Sequence, residues 1–352
     1  MSRLLSTVSA ITFVAGTYAS ADVPKVVADI APIHSLVSRV MEGVGEPKLI
    51  VPNETSPHDY RLRPADAEAI ENANLVFWMG EGLTPWMERA LEALSNDTDI
   101  IEFLALEEST LLSFREGALF EAHDHSDHDD HDKDHDDHDD HDDHDKDHDD
   151  HDDHDDHDKD HDDHDDHDDH DDHDDHAGHD HGEYDPHAWL STNNAKTWLN
   201  VIAARLSSID PDNAGAYFAN ASEARGEMDA LDVEINTMLD PVRGGKFVVF
   251  HDAYQYFETV YDFPASGAIS LGDASDPSAA RVAEIANRIK SENIACVLSE
   301  PQFNAGLVKT VMGGTDATTE VIDPLGFGIE PGKSLYPKLI RAMAQSLVNC
   351  LK

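Results

Sequence analysis

Residues 25–51 read KVVADIAPIHSLVSRVMEGVGEPKLIV, and the apolar pattern changes period twice within them. Lys25 to Asp29 is a short β-branched run of the kind that makes a buried strand. Ile33 to Glu42 repeats apolar residues at three- and four-residue steps, as a helix lying on a sheet does. Lys48 to Val51 returns to a strand. A strand, a helix and a strand in one short stretch make a parallel βαβ unit. Working outward, Leu75 to Met79 and Asp99 to Ile101 are further strands, alternating with helical stretches at Pro64 to Asn72 and Thr84 to Leu94. Later in the chain, Phe247 to Phe250, Ala268 and Ile269, Cys296 to Leu298 and Glu320 to Ile322 are strand-like, while Pro277 to Glu292, Asn304 to Met312 and Ser334 to Leu351 are helix-like. The fold class expected is α/β, with two lobes built on parallel sheets.

Between the two alternating sets lie a helix near Asn193 to Ser207 and a long one over 211–239. Pro211 stands at the first turn of the long helix and none in its interior, and its apolar residues keep mostly to three- and four-residue steps. At 1.5 Å per residue it spans roughly 43 Å. That length suits a connection between lobes, although a plain core helix has the same pattern. The expected organisation is a signal peptide at 1–21, a first α/β lobe over 22–210, a linker helix at 211–239 and a second α/β lobe over 240–352. Arg3, the apolar run Leu4 to Val14 and Ala19-Ser20-Ala21 carry the signal-peptide reading, which places the mature protein outside the cytoplasm.

The formal charge of −50 is misleading, because one segment holds most of it. His123 to His181 contains 33 Asp, 20 His and 3 Lys, so of 74 acids and 24 Lys or Arg in the whole chain, 41 and 21 remain elsewhere. HDKDHDDHDDHDD occurs three times in tandem, from His131, His144 and His157. Almost without apolar side chains, 123–181 is expected to be a disordered loop inside the first lobe. Its imidazoles and carboxylates make it a flexible chelator of divalent ions, weakening below the ordinary histidine pKa of about 6.5. The rest of the chain has an ordinary acidic composition with no basic patch for nucleic acid.

Outside the loop only four histidines remain: His34, His58, His187 and His251. His34 falls within an early helix and reads as packing or solvation. His58 follows the KLIV strand, His187 precedes a helix and His251 ends the KFVVF strand; open α/β sheets place ligands at such positions. Three neutral imidazoles meeting between lobes suit Zn²⁺, with a fourth position for a carboxylate or water. Asp323, after the last strand, is the candidate carboxylate, while Asp59 and Asp252, each next to a candidate histidine, are placed to orient the rings. Cys296 and Cys350 are even in number in a chain bound for an oxidising compartment. A disulfide is the economical reading beside two buried thiols or a thiolate metal site. A zinc hydrolase is the rival of another class, but HExxH, GxSxG and paired-cysteine motifs are missing, and Glu300 is better placed to support the cleft than to act as a base.

Ser56-Pro57-His58-Asp59-Tyr60 with Leu62-Arg63-Pro64, Asp185-Pro186-His187-Ala188-Trp189-Leu190, Val249-Phe250-His251-Asp252-Ala253-Tyr254, Ser299-Glu300-Pro301-Gln302-Phe303 and Asp323-Pro324-Leu325-Gly326 resemble the motifs of the ZnuA-type periplasmic zinc-binding proteins. These belong to the metal-binding class of ABC-transporter substrate-binding proteins. The resemblance runs in order over nearly the whole mature chain. It implies two lobes joined by a rigid helix, a cleft holding Zn²⁺ as cargo on His58, His187 and His251, and a Cys296–Cys350 disulfide. It also implies a monomer, not an enzyme, that works in the periplasm with a membrane permease and its cytoplasmic ATPase. The residue before the first ligand, acidic in some members, is Pro57 here, which leaves the fourth ligand between Asp323 and water.

Overall fold

A computed structural model describes residues 23–58, 60–95, 98–115, 120, 184–270, 277–302 and 305–352. The expected signal peptide at 1–21, the loop at 123–181 and Asp59 lie outside the described residues.

Two four-stranded sheets form, each parallel throughout. The first is built from β1 (Val26–Ala28), β2 (Lys48–Leu49), β3 (Leu75–Trp78) and β4 (Asp99–Glu102), in the order β2-β1-β3-β4, with Val27 level with Lys48 on one side and Val76 on the other. Helices α1 (Ala31–Val40), α2 (Pro64–Glu71) and α3 (Pro85–Leu94) alternate with these strands. The second sheet comprises β5 (Phe247–His251), β6 (Ala268–Ser270), β7 (Cys296–Ser299) and β8 (Thr318–Val321), in the order β6-β5-β7-β8. Its helices are α6 (Gln255–Tyr261), α7 (Ala279–Ser291) and α8 (Ala305–Val311). Every residue of β3 and β5 is buried, as expected of parallel strands covered on both faces. β8 begins two residues before the apolar pattern indicates, because Thr318 and Thr319 are exposed edge positions that pair with Cys296 and Val297. The seven residues of α6 are too few for periodicity to reveal.

Between the sheets run α4 (Thr192–Ile209) and α5 (Ala214–Leu239). The α-helix of α5 starts after a single 3₁₀ turn at Pro211–Asn213, held by Asp210, whose carboxylate accepts from Asn213 and from the Tyr217 hydroxyl. Its 26 residues run about 39 Å. α5 packs on α1, α4 and α9 (Leu335–Leu351). The last helix therefore returns from the second sheet to lie on elements of the first half. One continuous apolar core joins Val27 and Phe77 through Trp198 and Leu231 to Phe247 and Leu347. Val248, Phe250 and Ile285 form a smaller cluster on the other face of the second sheet.

In both sheets the strand order reverses beside the first-formed strand, between β1 and β3 and between β5 and β7, and the strands' carboxyl ends open a crevice there. In the first sheet Asp29 fills it. Its Oδ1 accepts the Ile30 N–H and its Oδ2 the Met79 N–H, both at 2.7 Å. Complete burial pushes this carboxyl up to about 7, against the pull of those N–H groups. The group is then protonated in the folded chain up to about pH 7 but ionised in the unfolded chain above about 3.8. Its stabilising contribution is complete below that lower value and is lost as pH rises through about 7.

Cys296 at the head of β7 and Cys350 in the last turn of α9 form the disulfide, which rules out the thiolate metal site. It closes a loop 54 residues apart in sequence.

Two measurements test these features. Comparing urea midpoints between pH 5 and 8, the wild type should lose stability relative to Asp29→Asn as the pH rises; a pH-independent difference would contradict the account of Asp29. Replacing Cys296 and Cys350 together by Ala should lower unfolding free energy by about 4 kcal/mol on the chain-entropy estimate.

Candidate metal centre

The second crevice holds His251, the last residue of β5, with Glu300 immediately beyond β7. Both are buried, at 2% and 5% exposure. His251 Nδ1 lies 2.5 Å from Glu300 Oε1. From the other half comes His187, in the turn that leads into α4, also buried. Its Nδ1 is 2.7 Å from Asp185 Oδ1, and the same oxygen accepts the His187 backbone N–H at 2.9 Å. One carboxylate two residues upstream thus fixes both the backbone and the ring. Tyr256, on α6, holds this turn from the opposite lobe by donating its hydroxyl to Asp185 O at 2.8 Å.

A carboxylate oxygen against Nδ1 accepts a hydrogen bond from the N–H of the tautomer protonated there, which leaves the lone pair on Nε2. With both rings so arranged, His187 Nε2 and His251 Nε2 meet at 3.4 Å. Two imidazoles on one tetrahedral zinc, each at 2.0–2.1 Å, place their nitrogens about 3.3–3.4 Å apart. The pair already has that separation. Beside it is a cavity of about 20 Å³ lined by Ser56, Pro57, Trp189, Glu300, Pro324 and Leu325 as well as the two histidines. That is room for one small occupant.

His58 is less fully placed. Its ring is half-buried with its centroid 6.2 Å from that of His187, on the segment whose Ser56 and Pro57 line the cavity. Asp323 heads the loop that contributes Pro324 and Leu325, but it is not on the cavity wall, and its Oδ1 accepts the Leu325 N–H at 2.9 Å. Burial raises its carboxyl above the usual range, against the backbone N–H groups of its own turn. Among the described residues no three His, Cys, Asp or Glu side chains are gathered as a finished metal site. The structure brings together His187 and His251, sets His58 near them, and leaves Asp323 serving its turn.

Asp252 does not orient an imidazole. It accepts the guanidinium of Arg115, which also reaches Glu258 at 2.7 Å. A buried cation between two buried carboxylates satisfies all three, so Asp252 is already committed. The groups that orient the rings are Asp185 and Glu300. The Asp-Pro-His spacing signals the first, since an Asp side chain readily bonds the backbone N–H two residues on. Nothing local signals that Glu300 meets His251. His34 lies apart from them on α1, its Nε2 3.0 Å from Pro47 O and its pKa lowered by burial.

The family model for the zinc-uptake complex component A, periplasmic, matches residues 26–350. The high-affinity zinc uptake system protein ZnuA of Brucella abortus is 45% identical over 93% of this chain and 91% of its own, and that of Paracoccus denitrificans 44% over 95% and 93%. A crystal structure of a ZnuA deletion mutant with zinc bound, 21% identical, superposes with a TM-score of 0.66 over 94% of this chain and 99% of that one, a likeness of fold. With its whole folded length matched and its two lobes and histidine pair in place, the chain belongs to the ZnuA family of periplasmic zinc-uptake proteins.

Proposed function

We propose that this chain captures Zn²⁺ between its two lobes, with His58, His187 and His251 as ligands, and passes the ion to a membrane permease driven by a cytoplasmic ATPase. The observation that carries the reading is the 3.4 Å approach of two buried Nε2 atoms whose rings are each backed by a carboxylate. It captures rather than transforms: the nitrogen pair is a ligand set, and the relatives are named for zinc uptake. Asp185 and Glu300 stand behind the imidazoles as two buried negative groups, which offset a divalent charge in a poorly solvated place. Three nitrogen donors favour zinc over manganese, which prefers oxygen. The lobes as divided at 22–210 and 240–352, with the helix at 211–239 between them, form the two walls of the site, and movement of the His58 segment carries that ring onto the ion held by the His187–His251 pair. Asp323 or a water completes the sphere. The signal at 1–21 delivers the chain to the periplasm, and the loop at 123–181 is an accessory segment that binds further zinc weakly.

Calorimetric titration of apo protein lacking Asp124 to Asp180 is expected to show one tight zinc site, and none once His58, His187 and His251 are changed to Ala. No tight site in the first protein would move the function to the loop. Glu300→Gln and Asp185→Asn should each weaken zinc binding ten- to a hundredfold at unchanged stoichiometry, and unchanged affinity would remove them from the site.

A further inference from the structure

His187 and His251 each lean on a carboxylate, and His58 ends a described segment, Val51 to His58, that is neither helix nor strand. What holds that segment therefore governs the third ligand. Within its own lobe, Trp86 Nε1 donates to Pro57 O at 2.8 Å. Across the lobes, Asn53 Nδ2 donates to Gly326 O at 2.6 Å and Ile329 O at 2.8 Å. Two carbonyl acceptors fix the orientation of this amide, because its own oxygen in their place would be repelled. Asn53 is 3% exposed, so water does not compete for these bonds.

The receiving loop is a tight one. Gly326 and Gly328 have φ of +84° and +77°, and Gly326 O also accepts the Ile329 N–H at 2.9 Å. Three residues earlier it contains Asp323, and Pro324 O accepts from Trp189 Nε1 at 2.8 Å. The loop at 323–329 is thus gripped on one side by the residue two after His187 and on the other by the residue five before His58. Among the described residues, Asn53 is the side chain that links the His58 segment to this loop by hydrogen bonds.

We infer that Asn53 is a positioning residue, a latch between the His58 segment and the loop at 323–329, that sets how slowly captured zinc leaves. This rests on the site reading above. Without the latch, His58 remains tied to its own lobe through Pro57 but not to the lobe that holds His251. An arriving ion still meets the preformed His187–His251 pair, so entry is little affected. Departure requires His58 to swing away, and that step loses its restraint. The signature is a change in dissociation rate at nearly constant association rate.

The test is stopped-flow tryptophan fluorescence on the full chain loaded with one equivalent of zinc and mixed with excess chelator. Trp189, whose ring centroid lies 5.2 Å from that of His187, reports the site. Asn53→Ala should release zinc about tenfold faster, with an association rate within about twofold of wild type; Asn53→Ser, a milder change, replaces it if the alanine variant does not fold. Asn220→Ala is the control, since Asn220 Nδ2 also donates to two carbonyls, Val40 O and Glu42 O, away from the cleft. A release rate unchanged in both Asn53 variants, or raised equally in Asn220→Ala, overturns the inference. Absence of tight one-to-one binding in the unaltered chain overturns the site reading and this inference with it.

Discussion

The centre of this protein depends on a row of four buried side chains, Asp185, His187, His251 and Glu300, joined end to end at 2.7, 3.4 and 2.5 Å. Burying two carboxylates and two imidazoles is costly unless each polar atom has a partner. The outer contacts of the row provide partners for both Nδ1 atoms. They also turn both Nε2 atoms to a single point, where a cation of suitable size satisfies them. The row crosses from one half of the chain to the other, so the fold must hold the halves within tenths of an ångström. Tyr256 to Asp185, Tyr336 to the Trp189 carbonyl and Trp189 to Pro324 span them with bonds near 2.8 Å.

Those spanning bonds divide the site into a fixed part and an adjustable one. His187 and His251 lie among buried aromatic residues and paired carboxylates, and a sub-ångström change there disturbs close packing on every side. His58 lies on irregular chain with a half-buried ring. On the proposed reading, the two rigid imidazoles give an ion a defined first landing place, and a third that arrives later allows it to be taken from water and released again without breaking the core.

Much of this was legible in the sequence because it rests on local patterns. Strand and helix periods indicate two parallel α/β halves, and the scarcity of histidine outside the repeat makes His58, His187 and His251 candidates, of which the fold brings His187 and His251 together. What escaped depends on distance in space. Glu300 lies 49 residues from His251, and no spacing rule joins them. Asp252, adjacent in sequence to His251, attracts attention as its partner. Arg115, 137 residues away, claims it instead. Asp323, after the last strand, reads as a possible fourth ligand with water as the alternative, and a carboxylate at the head of a glycine-rich turn also has backbone N–H groups to satisfy, one of which it accepts here. The loop at 123–181 was legible only as composition.

The two sheets give a reason for the proposed site to draw on the crevice of the second sheet and not on that of the first. Both orders reverse at the same point, beside β1 and beside β5, and both crevices receive a polar residue at the end of the central strand. In the first, Asp29 spends both oxygens on backbone N–H groups of its own lobe, which closes the crevice with an internal network. In the second, the strand end presents an imidazole whose Nδ1 faces Glu300, beyond the neighbouring strand, so Nε2 is directed outward from the sheet. A carboxylate in the first position consumes the binding capacity of its crevice. An imidazole, with two nitrogens on opposite sides of one ring, can be anchored by one and still offer the other. The same topology thereby yields a structural plug in one lobe and a ligand in its counterpart, and the difference lies in the side chain that ends the strand.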